Sequence, residues 1–218
     1  MPDPRVRAMR PDEWDAVAEL IYVSTNAWYA ARGAGPIFNG GPDVARLFPE
    51  TYEALDPGCT FVAEHPRTGR LMGSCFYHPR ETHVSLGIMN VHPAYFGMGV
   101  ARRLLGAITD DADARGLPVR LVSSAFNLDS YSLYTRAGFV PRRTYQDVMV
   151  AVPEAGMSHD APRRAHVRAA TLDDVPAMVA LEEELTGIRR GGDFAHFVTN
   201  AQGIWHVSVL EGEDGRLD

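Results

Sequence analysis

Residues 91–105 combine the features that bind a phosphate group through the peptide backbone. The segment predicts a strand end, a turn with two glycines, and the start of an amphipathic helix. Unpaired amides and the positive dipole end make a helix N-terminus an anion site. Gly97 and Gly99 allow close approach because neither carries a Cβ. The predicted phosphate ligands are Gly97, Met98, Gly99, Val100, Ala101 and Arg102.

Two other phosphate-binding classes also place glycines before a helix. A nucleotide P-loop requires Gly-Lys-Ser/Thr, but all 21 basic side chains of this chain are Arg. A dinucleotide site requires an acidic residue at the end of the next strand, where this chain has Ser123 and Ser124. The sequence therefore disfavours both classes.

Residues 127–139 form the second segment whose side chains could take part in a reaction. Asn127 is a suitable N-cap for a helix, and Gly138 is a suitable left-handed C-terminal residue. Tyr134 lies two turns into that helix. A phenol with a pKa of about 10 stays protonated at neutral pH, so it can act as a proton donor.

Together the two segments resemble the cofactor half of the GNAT N-acetyltransferase superfamily. The resemblance implies transfer of an acetyl group from acetyl-CoA to an amine, with acetyl-CoA as cosubstrate and no metal. It implies an α/β (α+β) fold with a mixed, mostly antiparallel sheet, flanking helices and splayed central strands. Tyr134 would be the general acid. The further cofactor-binding residues that it implies are Met89, Asn90, Val91 and Asn127.

The glycine turn departs from the family pattern at one point. A Gln or Arg often opens this loop, but this chain has Ala94 and Phe96 there. Arg102 or Arg103 would compensate by facing phosphate, or both would lie on a solvated helix face. The backbone amides can bind phosphate without the missing Gln or Arg. The affinity for CoA should be lower without it.

The acid and the base differ in how well the sequence defines them. Tyr134 either donates the proton or only packs beneath its helix, and Tyr131 is the nearest competitor. An amine acceptor must lose a proton before attack, and the candidates along the central strand are Glu81, His83 and Asn90, the last by ordering a water. We assign no base from the sequence.

Hydrophobic spacing predicts the elements around these segments. Residues 26–41, with Trp28, Tyr29 and Phe38, are predicted to form an aromatic loop. Its aromatic side chains either line an acceptor pocket or pack the loop against the core. Predicted helices cover residues 14–23, 43–55 and 99–116, and predicted strands cover residues 59–63, 70–77, 84–91, 119–123 and 144–150, with Phe139 beginning the last strand region.

The chain carries an internal repeat. Residues 6–17 match residues 167–178, and residues 61–71 match residues 207–217, in the same order. We expect a GNAT domain over residues 1–152, a polar linker over 153–165, and over 166–218 only the N-terminal half of a second GNAT-like unit. The alternative is a chance match of short segments.

Composition bounds the remaining expectations. The chain has 218 residues, is 45% hydrophobic and 22% charged, and has a net charge of −7. These values are typical of a soluble protein without nucleic-acid or membrane partners. Cys59 and Cys75 have no metal or redox spacing, which favours a cytoplasmic location. We expect a small-molecule or peptide amine as acceptor and consider a homodimer. The alternative function is an acyl-CoA sensor or assembly domain.

Overall fold

The computed structural model describes residues 3–157 and 166–218. The chain divides into a first unit, Met1–Leu121 with Gly187–Asp193, and a second unit, Val122–Thr186 with Phe194–Asp218. Residues 158–165 of the predicted linker lie outside the described part of the chain. Among the described residues, no helix combines the length and apolar character needed to cross a membrane.

The first unit contains a five-stranded sheet whose strands follow one another in chain order. The strands β1 to β4 are antiparallel, and β5 runs parallel to β4. This mixed, mostly antiparallel sheet with flanking helices confirms the predicted fold class. Its elements are β1 Arg5–Ala8, α1 Trp14–Ala30, α2 Leu47–Leu55, β2 Thr60–Glu64, β3 Leu71–Pro79, β4 Val84–Val91, α3 Val100–Arg115 and β5 Val119–Arg120.

The two faces of the sheet pack against different helices. Phe76 of β3 joins the buried cluster formed with α1, which includes Val17 and Ile21. Gly73, on the opposite face of β3, lies beneath α3. The predicted apolar stripe of α3 is confirmed, because Val100, Leu104, Leu105 and Ile108 are all buried.

Gly73 sets how closely α3 approaches the sheet. A Cβ built on Gly73 would lie 2.8 Å from the carbonyl oxygen of Asn90 and 2.9 Å from a methyl of Val100. Gly73→Ala should therefore lower the free energy of unfolding by about 1–3 kcal/mol, the usual cost of overpacking. Gly106→Ala is the matched control, because its Cβ would meet nothing within 4 Å and Ala favours a helix interior. Urea titration measures both, and equal stability of the two variants would contradict the prediction.

The splayed central strands are also present. β4 is eight residues long, yet β5 pairs with it only at Val84 and Ser85. The predicted strand over residues 119–123 therefore ends at Arg120, where its ladder with β4 ends. Beyond Ser85, β4 has no strand on this side among the described residues.

Three predicted boundaries need correction. The first helix continues to Ala30, so Trp28 and Tyr29 lie on α1 and not in a loop. The second helix begins at Leu47 after a separate 3₁₀ turn, Pro42–Ala45. Residues 139–150 form no strand, because β propensity produces a strand only where a neighbour supplies the other half of the ladder.

The second unit contains α4 Leu128–Arg136, α5 Val175–Thr186, most of α6 Gly191–Thr199, and a two-stranded antiparallel sheet of β6 Val167–Ala169 and β7 Ser208–Leu210. It repeats a distinctive ion pair of the first unit. In the first unit, Arg7 of β1 binds Glu13 at 2.7 Å and Glu64 at 2.7 Å. The second unit has the same arrangement, at 2.7 Å for each contact, between Arg168, Asp174 and Glu211.

Candidate active site

The glycine turn has the conformation that the sequence predicts. Gly97 and Gly99 have φ angles of 73° and 79°, in the left-handed region that favours glycine. Gly99 is the N-cap of α3, and no side chain caps the helix there. A Cβ on either glycine would extend into open space.

Most amides of this turn are available to a ligand. The Met98 amide donates to the carbonyl of Tyr95 at 3.3 Å, and the Arg103 amide donates to the carbonyl of Gly99 at 3.1 Å. Within the described residues, the other amides from Gly97 to Arg102 donate to no protein oxygen. The turn therefore fits the diphosphate of a coenzyme. The Met98 amide is not available to that ligand, because it already donates to Tyr95.

A cleft of about 680 Å³ opens beside the turn. This volume lies in the range of small-molecule sites. Arg102 lines the cleft, whereas the Arg103 guanidinium forms an ion pair with the Asp3 carboxylate. Of the two arginines that could compensate for Ala94 and Phe96, Arg102 is the one at the cleft. The lining residues are Asp3, Pro4, Met72, Gly97, Met98, Gly99 and Arg102.

Asp3 places a negative charge where an anionic ligand would enter. Asp3→Asn should tighten CoA binding by about two- to fivefold, the range for one exposed charge near a ligand, because it removes repulsion and releases Arg103. Calorimetric titration with CoA at low and high salt measures the effect, which should shrink as salt screens it. Asp110→Asn makes the same charge change on α3, at a residue that does not line the cleft. An equal gain in CoA affinity in that variant would show that only the net charge matters.

The open edge of β4 presents main-chain groups in a defined order. His92 donates to the carbonyl of Met72 at 2.8 Å, so residues 92 and 72 form a hydrogen-bonded antiparallel pair. Hydrogen-bonded and non-hydrogen-bonded pairs alternate along such a ladder. Met89 and Val91, opposite Cys75 and Gly73, therefore direct their N–H and C=O groups away from β3, toward the open side.

A bulge in β4 produces this orientation. Gly87 and Ile88 together oppose Phe76, which shifts the register between Cys75 and Tyr77. Before the bulge, Val84 donates to Pro118 on the β5 side. The extra residue reverses the alternation, so the open side receives the main-chain groups of Met89 and Val91.

Asn90 lies on the face of β4 that packs against α1. Its side-chain amide donates to the hydroxyl of Ser24 at 2.7 Å and to that of Thr25 at 3.4 Å. Its Oδ1 is buried and has no partner within the described residues. The main chain of Asn90 faces β3, so only its side chain is available to a ligand.

The second segment folds as the helix α4, with Asn127 as its N-cap. The Asn127 side chain accepts a hydrogen bond from the Ser130 amide at 3.2 Å, which confirms the predicted N-cap. Gly138 has a φ of 93° just after the helix. Tyr134 lies on α4 with its ring 5.8 Å from that of Phe139, whereas Tyr131 is 44% exposed.

The structure separates the candidate bases. Glu81 accepts a hydrogen bond from the Gly191 amide at 3.2 Å. Burial lowers the pKa of His83, and the nearby charges of Arg120 and Arg80 lower it further. A second histidine, which the sequence analysis missed, is His78 of β3, whose Nδ1 lies 2.6 Å from Oδ2 of Asp56. The available signal was strand alternation, which places His78 on the same inward face as Phe76.

Comparison with known proteins bears on this site. The family model described as "Acetyltransferase (GNAT) family" matches residues 28–139, about half of the chain. The chain belongs to the GNAT acetyltransferase family. The family that the model describes is one of acetyltransferases. A search of curated proteins gave no match.

Solved structures show the same fold. A protein of Pyrococcus horikoshii described as an acetyltransferase has a TM-score of 0.64 and 14% identity, over 92% of this GNAT chain and 63% of its own. The chain thus spans less than two thirds of that relative. The ribosomal-protein-S18-alanine N-acetyltransferase of Escherichia coli has a TM-score of 0.50 and 17% identity, covering 71% and 87%. A GNAT acetyltransferase of Staphylococcus aureus has a TM-score of 0.51 and 13% identity, covering 62% and 84%.

Proposed function

We propose that this protein is an N-acetyltransferase that transfers acetyl from acetyl-CoA to a primary amine by direct attack. The observation that carries the proposal is a pair of features in the first unit. The turn from Gly97 to Arg102 offers unpaired amides to a diphosphate, and the edge of β4 beyond Ser85 is open. A thioester arm that extends along that edge would meet the amides of Val91 and Met89 in turn.

Each group has a defined task in this proposal. Helix α3 and its turn bind the diphosphate through main-chain N–H groups. The Met89 amide stabilises the negative charge that develops on the acetyl carbonyl oxygen. Tyr134 donates a proton to the departing sulfur, and the Asn127 cap orders the helix that carries it.

The state of the thiols supports direct attack over a covalent acyl-cysteine route. Burial raises the pKa of both Cys59 and Cys75. Because the thiolate is the nucleophilic form, neither side chain is activated at neutral pH.

We further propose that residues 1–152 form a GNAT domain and that residues 166–218, after a linker over residues 153–165, are the N-terminal half of a second GNAT-like unit. The ion pair between Arg7 and Glu13 recurs as the ion pair between Arg168 and Asp174, which supports this organisation. The acceptor in the proposal is a small-molecule or peptide amine, and the location is cytoplasmic. A homodimer would appear as a concentration-dependent mass in light scattering.

Two measurements on the full chain test the function. Calorimetry with acetyl-CoA measures binding, and thiol release in a panel of amines measures transfer. The panel includes polyamines, amino acids and an alanine peptide, since the similar E. coli enzyme is named for acetylating alanine. Turnover supports the enzyme. Binding without turnover across the panel would favour the sensor or assembly role, and absence of binding would refute both.

A further inference from the structure

A short segment from far along the chain packs with the first unit. Residues 187–193 cluster with Met1–Leu121, whereas the chain up to Thr186 and from Phe194 onward belongs to the second unit. This segment, the strap, connects the end of α5 to the first turn of α6. The first unit therefore includes seven residues that the proposed domain boundaries assign to residues 166–218.

The strap binds the turn between β3 and β4 through two main-chain amides. The Arg189 amide donates to the hydroxyl of Thr82 at 3.0 Å. The Gly191 amide donates to the carboxylate of Glu81 at 3.2 Å. As the strap advances along the chain, its partners on the turn follow in the reverse order, so the two segments lie antiparallel where they touch.

The third contact between the strap and the turn is a buried ion pair. Asp193 pairs with Arg80, and their side chains are only 10% and 7% exposed. Arg80 also donates to both oxygens of Asp56, at 2.7 and 2.8 Å. A carboxylate is stable in such a buried position only beside an opposite charge. Arg80 is therefore the group that allows Asp193 to be buried against this turn.

The docked strap lies at the closed end of the gap between β4 and β5. The turn ends at His83, and within the described residues Val84 and Ser85 are the part of β4 that pairs with β5. The Val84 amide also donates to the carbonyl of Pro118 at 2.9 Å. A ladder of two residue pairs contributes little stability by itself. A contact that fixes the turn therefore also fixes the point from which the gap opens.

We propose that the strap clamps the closed end of the β4–β5 gap. While it is docked, it holds the β3–β4 turn and the two β4–β5 residue pairs together. When it is released, those pairs open readily. The strap is thus a part of the first unit that the proposed acetyltransferase function does not require, and a protein that ended at residue 152 would lack the clamp.

A cysteine pair tests docking on the full-length protein. The hydrogen bond between Arg189 and Thr82 places these residues at a separation that a disulfide spans. Thr82→Cys with Arg189→Cys should therefore cross-link under mild oxidation with diamide. The rate should be at least about tenfold higher than for Thr82→Cys with Thr199→Cys, because docking raises the effective thiol concentration. Thr199 is the last residue of α6, about 12 Å along the axis from the first. Peptide mass spectrometry distinguishes the engineered pair from the native cysteines.

Hydrogen exchange measures the clamp itself. Asp193→Arg places a second cation against Arg80, which should undock the strap and speed exchange of the Val84 amide about 10²-fold. Thr82→Val removes only one acceptor, so the same exchange should become about three- to tenfold faster. Thr68→Val, on the β2–β3 turn, is the matched control and should leave it unchanged. Amides of β1 and β2 should keep their protection in every variant, which excludes global unfolding.

Two results would overturn the inference. One is an engineered pair that cross-links no faster than its control, and the other is unchanged Val84 exchange in Asp193→Arg. Neither measurement requires a coenzyme or an acceptor, so both test the strap independently of the proposed function.

Discussion

Tyr134→Phe should lower kcat by at least about 10²-fold and leave the Kd for acetyl-CoA within about twofold. Phe retains the ring that contacts Phe139 but lacks the hydroxyl proton that the proposed mechanism gives to the CoA thiolate. The loss should therefore be confined to the chemical step. Single-turnover thiol release and calorimetry measure the two quantities separately.

Tyr131→Phe is the matched control for this result. Tyr131 precedes Tyr134 by three residues on α4 and is 44% exposed, so removing its hydroxyl should change kcat by less than about twofold. A full loss in Tyr131→Phe, or full activity in Tyr134→Phe, would remove Tyr134 from the mechanism.

The double substitution Gly97→Ala with Gly99→Ala should raise the Kd for CoA about a hundredfold. Each alanine in the left-handed region costs about 1–2 kcal/mol, and relief of that strain moves the amides away from the phosphate. Neither Cβ would touch a neighbour, so the effect comes from backbone conformation. Calorimetry with CoA measures it.

Two variants identify the cause of this loss. Gly99→Asn should bind CoA more tightly than Gly99→Ala, because Asn tolerates the left-handed conformation better. Gly106→Ala, in the interior of α3, should leave the Kd unchanged. If the double variant bound CoA normally, the turn would not be the diphosphate site.

The sequence specified α3 and its turn well. Gly99 and Gly116 begin and end the helix, and the spacing from Val100 to Ile108 defines its buried stripe. These signals are local, and local signals can be extracted from a sequence. The cap formed by Asn127 was predictable for the same reason.

Long-range features were not predictable. The strand expected over residues 144–150 is absent, because a ladder depends on a partner that the segment does not encode. His78 was missed because its partner Asp56 lies 22 residues away and follows a helix. Strand alternation could have placed His78 on the same face as Phe76, but not in contact with Asp56.

The bulge at Gly87 and Ile88 changes which residues of β4, the even-numbered or the odd-numbered, direct their main-chain groups away from β3. Residues before it keep the phase that pairs β4 with β5, whereas residues after it follow the opposite phase. Deleting one of these two residues would leave Asn90 opposite Ser74 and make β4 a regular ladder, so the same side chains would still face α1. A one-residue deletion at the bulge would therefore disturb packing and the ligand-facing amides less than a deletion elsewhere in β4, which would exchange inward and outward side chains.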